Sequence, residues 1–306
     1  MLVNNKRQWI SLTGIAFVGA LLASTATFAK PSVELVGPEN TQNAVATIFA
    51  SIEEEVSTGY QLFEAGDLDG ALALFDSAVS QDAEYLSALL GKGMIHAQRM
   101  EHVRAFSAYD MIVQSHPTHA LAWNRRGLAA FNMEQFELAL ESFVRATETQ
   151  PVNGFYYESI AWVQMCLGQY NAALQSAKTA SLMYSRLGET SLYPVLIVYL
   201  ASLQTKDLNT AQRAMVYAQK NRGSGWPGPV VNYLNGSMCA AQLISCVTTH
   251  AQETEAHVYI GINLSLQGDH KAADRHLDWV SREGDPRVFE YTLARALQMK
   301  ERLASL

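Results

Sequence analysis

The sequence predicts an all-α protein made of repeated helix pairs, a helical-repeat solenoid. Alanine, glycine and aromatic residues each recur at an interval of 34 residues, and prolines recur at the same interval. An interval of this length is typical of two antiparallel helices with their connecting turns. The recurring columns are Ala71, Ala105, Ala139 and Ala173; Gly59, Gly93 and Gly127; Phe75, Tyr109 and Phe143; and Pro117 and Pro151.

The clearest repeat covers residues 120–153. Small residues at Gly127 and Ala139 let two helices approach closely, and Pro151 ends the second helix because it has no N–H to donate. Six positions of this stretch match the tetratricopeptide repeat pattern, namely Trp123, Gly127, Ala139, Phe143, Ala146 and Pro151. The chain therefore resembles the tetratricopeptide repeat superfamily. This resemblance implies helix-turn-helix units arranged as a right-handed superhelix.

The 34-residue interval, together with a Gly- and Pro-rich break, divides the chain into segments. Residues 30–51 form an N-terminal lead-in and a helix, for which Thr41 is the predicted N-cap. A Gly- and Pro-rich break with a helical insert fills residues 226–253, and one longer helix is expected over 237–250. Residues 254–303 carry a C-terminal repeat and a capping helix. The repeats of the main array, 52–225, are 52–85, 86–119, 120–153, 154–187 and a degenerate repeat at 192–225.

Residues 1–29 have the pattern of a secretory signal peptide. Lys6 and Arg7 form a basic start, an apolar run covers residues 15–23, and small residues follow near Thr27 and Ala29. The alternative is an uncleaved anchor in the inner membrane, facing the periplasm. The sequence thus predicts a periplasmic or secreted protein, with membrane association only if this segment is retained.

Composition and motifs argue against two classes of function. The net charge is −7 and the chain has no run of Lys and Arg, so a nucleic-acid partner is not expected. The chain contains no G-x-S-x-G, no H-E-x-x-H and no complete phosphate-binding loop. The sequence therefore predicts a protein that is not an enzyme and needs no cofactor or metal.

Histidines could serve as metal ligands and cysteines as cross-links. His116 and His119 share one turn, but a zinc site needs three or four ligands, so we expect solvent-exposed histidines. Cys239 and Cys246 are too far apart on one helix to form a disulfide, and Cys166 lies in another repeat. All three are expected to be buried free thiols.

The tetratricopeptide resemblance implies which residues line the inner, concave face. None of them is Lys or Arg, so a cationic cradle for a peptide carboxylate is not expected. An apolar groove suits a helix or an extended apolar peptide, unless the chain's own terminal helix covers it. The residues of the predicted protein-binding groove are Tyr60, Phe63, Met94, Asn124, Leu128, Phe131, Trp162 and Met165.

The C-terminal part of the chain resembles one particular group within this superfamily. Trp226 follows the degenerate repeat, residues 233–236 (Tyr-Leu-Asn-Gly) end a short helix, and Glu290 and Tyr291 open the last one. This layout resembles bacterial periplasmic tetratricopeptide lipoproteins that act as adaptors of peptidoglycan hydrolases. The lipid-acceptor Cys of those proteins is absent here.

The sequence therefore favours a non-enzymatic, exported scaffold or adaptor. It would bind envelope proteins or peptides through an apolar concave groove. The alternative is a structural or homo-oligomeric component of a secretion or assembly complex, with a groove filled by the chain itself.

Overall fold

The protein is described by a computed structural model over residues 40–304, with side chains described from residue 51 to residue 300. The predicted signal peptide, 1–29, lies outside these residues. Within the described range the chain forms fifteen α-helices and no strand, which confirms the predicted helical-repeat class. The described residues form two compact units, with the boundary between residues 118 and 119.

The first unit contains two helix pairs. The N-terminal helix is continuous over 25 residues, so the predicted lead-in helix runs directly into the first repeat. Thr41 is the second residue of this helix and therefore not its N-cap. The helices are α1 (Asn40–Glu64), α2 (Leu68–Gln81), α3 (Leu86–Gln98) and α4 (His102–Ser115).

The second unit continues with consecutive antiparallel helices, and its last helix, α15, returns to pack against α7, α13 and α14. The starts of α5 and α7 lie 34 residues apart, at residues 120 and 154. The helices are α5 (Ala120–Asn132), α6 (Phe136–Thr149), α7 (Gly154–Leu167), α8 (Tyr170–Arg186), α9 (Tyr193–Gln204), α10 (Leu208–Asn221), α11 (Gly228–Leu234), α12 (Ala240–Ser245), α13 (His250–Leu266), α14 (His270–Glu283) and α15 (Phe289–Ala304).

The longer helix predicted over residues 237–250 does not form. The structure has only the six-residue helix α12 there, and α13 starts separately at His250. Two caps explain the division. The backbone N–H of Cys239 donates to the side chain of Gln242 at 2.8 Å, and Thr249 Oγ1 accepts from the N–H of Gln252 at 3.2 Å. Each cap satisfies donors that a helix start leaves free, so this segment begins two helices and not one.

Within a pair, the two helices touch where a glycine faces a large side chain. A β-carbon placed on Gly127 would lie 2.7 Å from Phe143 Cε1, and one on Gly93 would lie 2.5 Å from Tyr109 Cε1. Such distances are far below van der Waals contact, so these positions accept only glycine next to an aromatic ring. In the fourth repeat the register places Ala161 opposite Ala177, and both residues are fully buried. A larger residue on one helix is thus matched by a smaller one on the other.

The turn inside each pair has the same backbone form. Its central residue has a positive φ between 60° and 86°, in the left-handed region, in each of the six pairs between residues 40 and 304. A following aspartate caps the second helix in three pairs, as where Asp67 Oδ1 accepts from the N–H of Gly70 at 2.9 Å. The left-handed residues of these turns are Gly66, Met100, Glu134, Gly168, Lys206 and Gly268.

Candidate interaction surface on the inner helices

The groove residues predicted in the first unit are packed into its core. Phe63 is 8% exposed, and Tyr60 and Met94 are partly buried against the same cluster of apolar residues. Tyr60 donates to the backbone oxygen of Ser87 at 2.7 Å, and its ring meets Phe75 edge-on at 4.9 Å between centroids. Burial raises the pKa of the Tyr60 phenol above its usual value, and the nearby Tyr109 adds to this shift. These contacts join α1 to α2 and α3. Their role in binding a partner stays a prediction.

In the second unit, α5 and α7 present the remaining predicted residues. Asn124 is 3% exposed, and its buried Oδ1 has no hydrogen-bond partner among the described residues. Leu128 is half-buried, and Met165 is buried. Phe131 and Trp162 are 1% and 0% exposed. This part of the inner face is therefore closed in the structure.

The C-terminal helix, α15, covers this part of the inner face of α5 and α7. Phe289, the first residue of α15, places its ring among three aromatic rings of α5 and α7. Its centroid lies 5.0 Å from that of Phe131, 6.2 Å from that of Phe155 and 6.0 Å from that of Trp162. Tilted and offset rings at these distances attract one another beyond the burial of their area. We name Phe131, Phe155, Trp162 and Phe289 the aromatic cluster.

Charged side chains flank the aromatic cluster along α15. Arg295 Nε lies 2.5 Å from a carboxylate oxygen of Glu134, and hydrogen bonding to Tyr291 raises the pKa of that guanidinium, as does the charge of Glu134. Lys300 Nζ lies over the ring of Tyr170, 5.9 Å from its centroid, and burial lowers the pKa of its ammonium group. The inner face therefore holds one aromatic anchor and two cations of a single helix.

The exposure of the cysteines and of the turn histidines differs in part from the prediction. Cys166 is buried as predicted, and burial raises the pKa of its thiol. Cys239 and Cys246 are exposed, because they stand at the two ends of the short α12 and not inside a long helix. His116 and His119 are half-buried and not fully exposed. His119 Nδ1 accepts from the N–H of Ala122 at 3.0 Å and so caps α5.

Two groups of functional interest escaped sequence reasoning. The sequence predicts a capping helix from Phe289 and leaves open that a terminal helix covers the groove, but it does not identify Phe289 as the residue that reaches Phe131 and Trp162. The signal in the sequence was that Phe131 and Trp162 are both large and apolar, which favours their being covered. The second group is an imidazole pair, His257 and His276, in the last helix pair, with 3.2 Å between the two Nδ1 atoms.

No group of three or more His, Cys, Asp or Glu that could hold a metal occurs within the described residues. Between residues 40 and 304, every helix is too short or too polar to cross a bilayer.

Sequence comparisons agree with the repeat pattern. Residues 58–120 match the family described as tetratricopeptide repeat. The mouse Superkiller complex protein 3 is 28% identical over 114 residues, and Xenopus laevis tetratricopeptide repeat protein 37 is 28% identical over 113 residues. Each of these matches covers 36% of this chain but only 7% of the relative. The chain thus spans a small part of the length of these two proteins.

Solved structures show the same fold at low identity. A tetratricopeptide repeat protein from Parabacteroides merdae covers 81% of this chain and 99% of its own length, with 14% identity and a TM-score of 0.60. MamA from Desulfovibrio magneticus RS-1 covers 57% and 97%, with 15% identity and a TM-score of 0.52. YrrB, described as a TPR protein with an unusual peptide-binding site, covers 58% and 93%, with 16% identity and a TM-score of 0.50. The chain therefore has the fold of a tetratricopeptide-repeat helical solenoid and carries the family's sequence pattern over residues 58–120.

Proposed function

We propose that this protein is a non-enzymatic scaffold of the bacterial cell envelope, exported by its N-terminal segment, that binds helical segments of partner proteins. Tetratricopeptide-repeat proteins are interaction scaffolds, and YrrB, a structural neighbour, is described as having a peptide-binding site. The envelope location comes from the signal-peptide pattern of residues 1–29 and from the resemblance to periplasmic adaptors.

The observation that carries this proposal is the contact between α15 and the inner face of α5 and α7. An amphipathic helix lies there, with Phe289 as the anchor in a pocket of Phe131, Phe155 and Trp162. Helix-in-groove recognition uses the same elements, an aromatic anchor in an apolar pocket with flanking charges. The face is thus suited to binding a helix, and in the structure α15 packs there.

The contacts of α15 define the chemistry of a competing partner. A partner helix would carry an aromatic residue for the Phe289 position and a cation for Glu134. A second cation eleven residues after the anchor would lie over Tyr170, as Lys300 does. Since α15 is covalently attached, its effective concentration at the face is high, and a partner must compete with it.

A peptide experiment tests the inner face as a helix acceptor. A fluorescent peptide of residues 286–304 would be titrated into the intact protein and into the Phe289→Ala/Arg295→Ala variant. The variant should bind the peptide saturably, because its own α15 is held more weakly, while the intact protein should bind it at least about tenfold less tightly. The matched control is the same peptide with alanine in place of Phe289. Equal binding of both peptides, or no binding to a folded variant, would contradict the proposal.

Export is tested by the mass of the protein isolated from a native bacterial host. Cleavage of the proposed signal peptide gives a chain that starts near Thr27 or Lys30 and is recovered in the periplasmic fraction. An intact Met1 in the membrane fraction would support an anchored protein. A full-length chain in the cytoplasm would contradict both forms of export.

A second candidate function is a structural component that associates through its outer surface. The observation in its favour is the exposed apolar strip of α10, where Val216 and Tyr217 are 59% and 52% exposed. Burial of such a strip between two copies would stabilise a dimer. Light scattering over a concentration series should then show self-association that the Val216→Asp/Tyr217→Asp variant loses. A monomer at all concentrations would exclude self-association through this strip.

A further inference from the structure

The last helix pair brings two half-buried histidines into contact. His257 of α13 and His276 of α14 face each other, with their Nδ1 atoms 3.2 Å apart. Both side chains are half-buried, so the pair is accessible from solvent. The ring of Trp279 stacks on His257, with 4.0 Å between centroids and 24° between planes, and so fixes the orientation of that imidazole.

The separation of the two nitrogens suits one metal ion. With metal–nitrogen bonds of about 2.05 Å, two cis ligands lie about 2.9 Å apart at a right angle and about 3.3 Å apart at the tetrahedral angle. The observed 3.2 Å falls between these values. We propose that His257 and His276 together bind one late first-row divalent cation, such as Cu²⁺ or Zn²⁺, with water completing the coordination.

The protonation of the pair agrees with a ligand role. Burial, and then the charge of His276, lower the pKa of His257 to about 4. Burial, and then the charge of Arg275, lower the pKa of His276. Both imidazoles are therefore neutral at neutral pH, as metal ligands must be. In the metal-free pair one Nδ1–H donates to the other Nδ1, and metal binding requires that this proton move to Nε2 of the same ring.

Two nearby charges act on a cation in opposite directions. Glu253 lies one helical turn before His257 on α13 and raises the pKa of that imidazole, so its carboxylate favours a bound cation. Arg275 adjoins His276 on α14 and disfavours one. A site made of two histidines and water has fewer protein ligands than a closed structural zinc site and is expected to be weaker. For these nitrogen ligands Cu²⁺ should bind more tightly than Zn²⁺.

Trp279 supplies a direct readout. Titration of the purified metal-free protein with Cu²⁺ should quench tryptophan emission saturably at one equivalent, because the indole is stacked on a ligand ring. In the Trp279→Phe variant the quenching should be lost, while calorimetry still detects one bound Cu²⁺. His257→Gln and His276→Gln should each abolish this binding, with unchanged far-ultraviolet circular dichroism showing that the helices remain.

Control variants place the ion. His270→Gln changes an exposed histidine of the same helix pair and should leave one equivalent bound. Glu253→Gln should weaken binding severalfold, and Arg275→Ala should strengthen it severalfold, from the sign of each charge. Zn²⁺ should raise the melting temperature of the wild type but not that of His276→Gln. The proposal is overturned if no saturable binding occurs, or if binding survives in both His257→Gln and His276→Gln.

Discussion

The ring of Phe289 lies nearly parallel to that of Trp162, with 6.0 Å between centroids and 11° between planes. Phe289 is the first residue of the last helix, whereas Trp162 belongs to α7 in the middle of the chain. Phe289 is 9% exposed, so this contact excludes water from both rings. The C-terminal helix is consequently part of the packing of the second unit.

We expect Phe289→Ala to destabilise the second unit by about 3–4 kcal/mol, because it leaves a cavity among three aromatic rings. Thermal denaturation should show the loss, and acrylamide should quench Trp162 emission more strongly than in the wild type. The matched control is Met299→Ala on the same helix, where the side chain is 60% exposed and the change should stay within about 0.5 kcal/mol. Equal melting curves for the two variants would show that the aromatic cluster does not hold α15.

Substitutions of Gly127 and Phe143 should have non-additive effects on the free energy of unfolding. Gly127→Ala would place a methyl group against the Phe143 ring and should cost about 1–3 kcal/mol. Phe143→Ala should cost about 3–5 kcal/mol through a cavity. The double variant recreates the Ala161–Ala177 arrangement of the fourth repeat, so its loss should be smaller than the sum by about 1 kcal/mol or more. Urea denaturation of the four proteins measures this difference, and strict additivity would refute the coupling.

Lys206→Gly should stabilise the protein. Lys206 is exposed and has a φ of 61°, a conformation that costs a side-chain-bearing residue about 1–2 kcal/mol. Glycine removes this strain, but the greater conformational freedom that it gives the unfolded chain costs about 0.4–1 kcal/mol of stability, which leaves a net gain of about 0.5–1 kcal/mol. The control Gln212→Gly, at an exposed position inside α10, should instead lose about 0.5–1 kcal/mol. Chemical denaturation that shows the same sign for both would rule out strain at Lys206.

His102 should make stability depend on pH. Burial lowers the pKa of this imidazole in the folded protein, while in the unfolded chain it stays near 6.5. As the pH falls below about 6.5, the unfolded chain takes up the proton first, so the stability present at neutral pH is lost. The melting temperature of His102→Gln should therefore fall less between pH 7 and pH 5 than that of the wild type. His270→Gln, which changes an exposed histidine, should follow the wild type; a parallel fall in all three would contradict the role of His102.

The sequence by itself determined the fold class and the local packing of each helix pair. Gly127 and Phe143 belong to one repeat, and their contact follows from the interval between the two helices and from their sizes. Patterns of this kind are readable because the physical partners lie within one turn-connected pair. The break before α11 was readable in part, since Gly and Pro at residues 223–229 predict a non-helical stretch. The structure leaves residues 222–227 outside the helices, but α11 already begins at Gly228, because proline is accepted in the first turn of a helix.

Only the tertiary structure decided which residues of distant helices contact one another. Periodicity marks the inner side of a helix, but an apolar inner position has the same pattern whether a partner or the chain's own helix covers it. The structure shows that α15 covers Phe131 and Trp162, and that Arg295 meets Glu134. The pairing of His257 with His276 likewise depends on how two helix faces are turned toward each other. Such contacts depend on three-dimensional packing, which residue spacing along the chain does not specify.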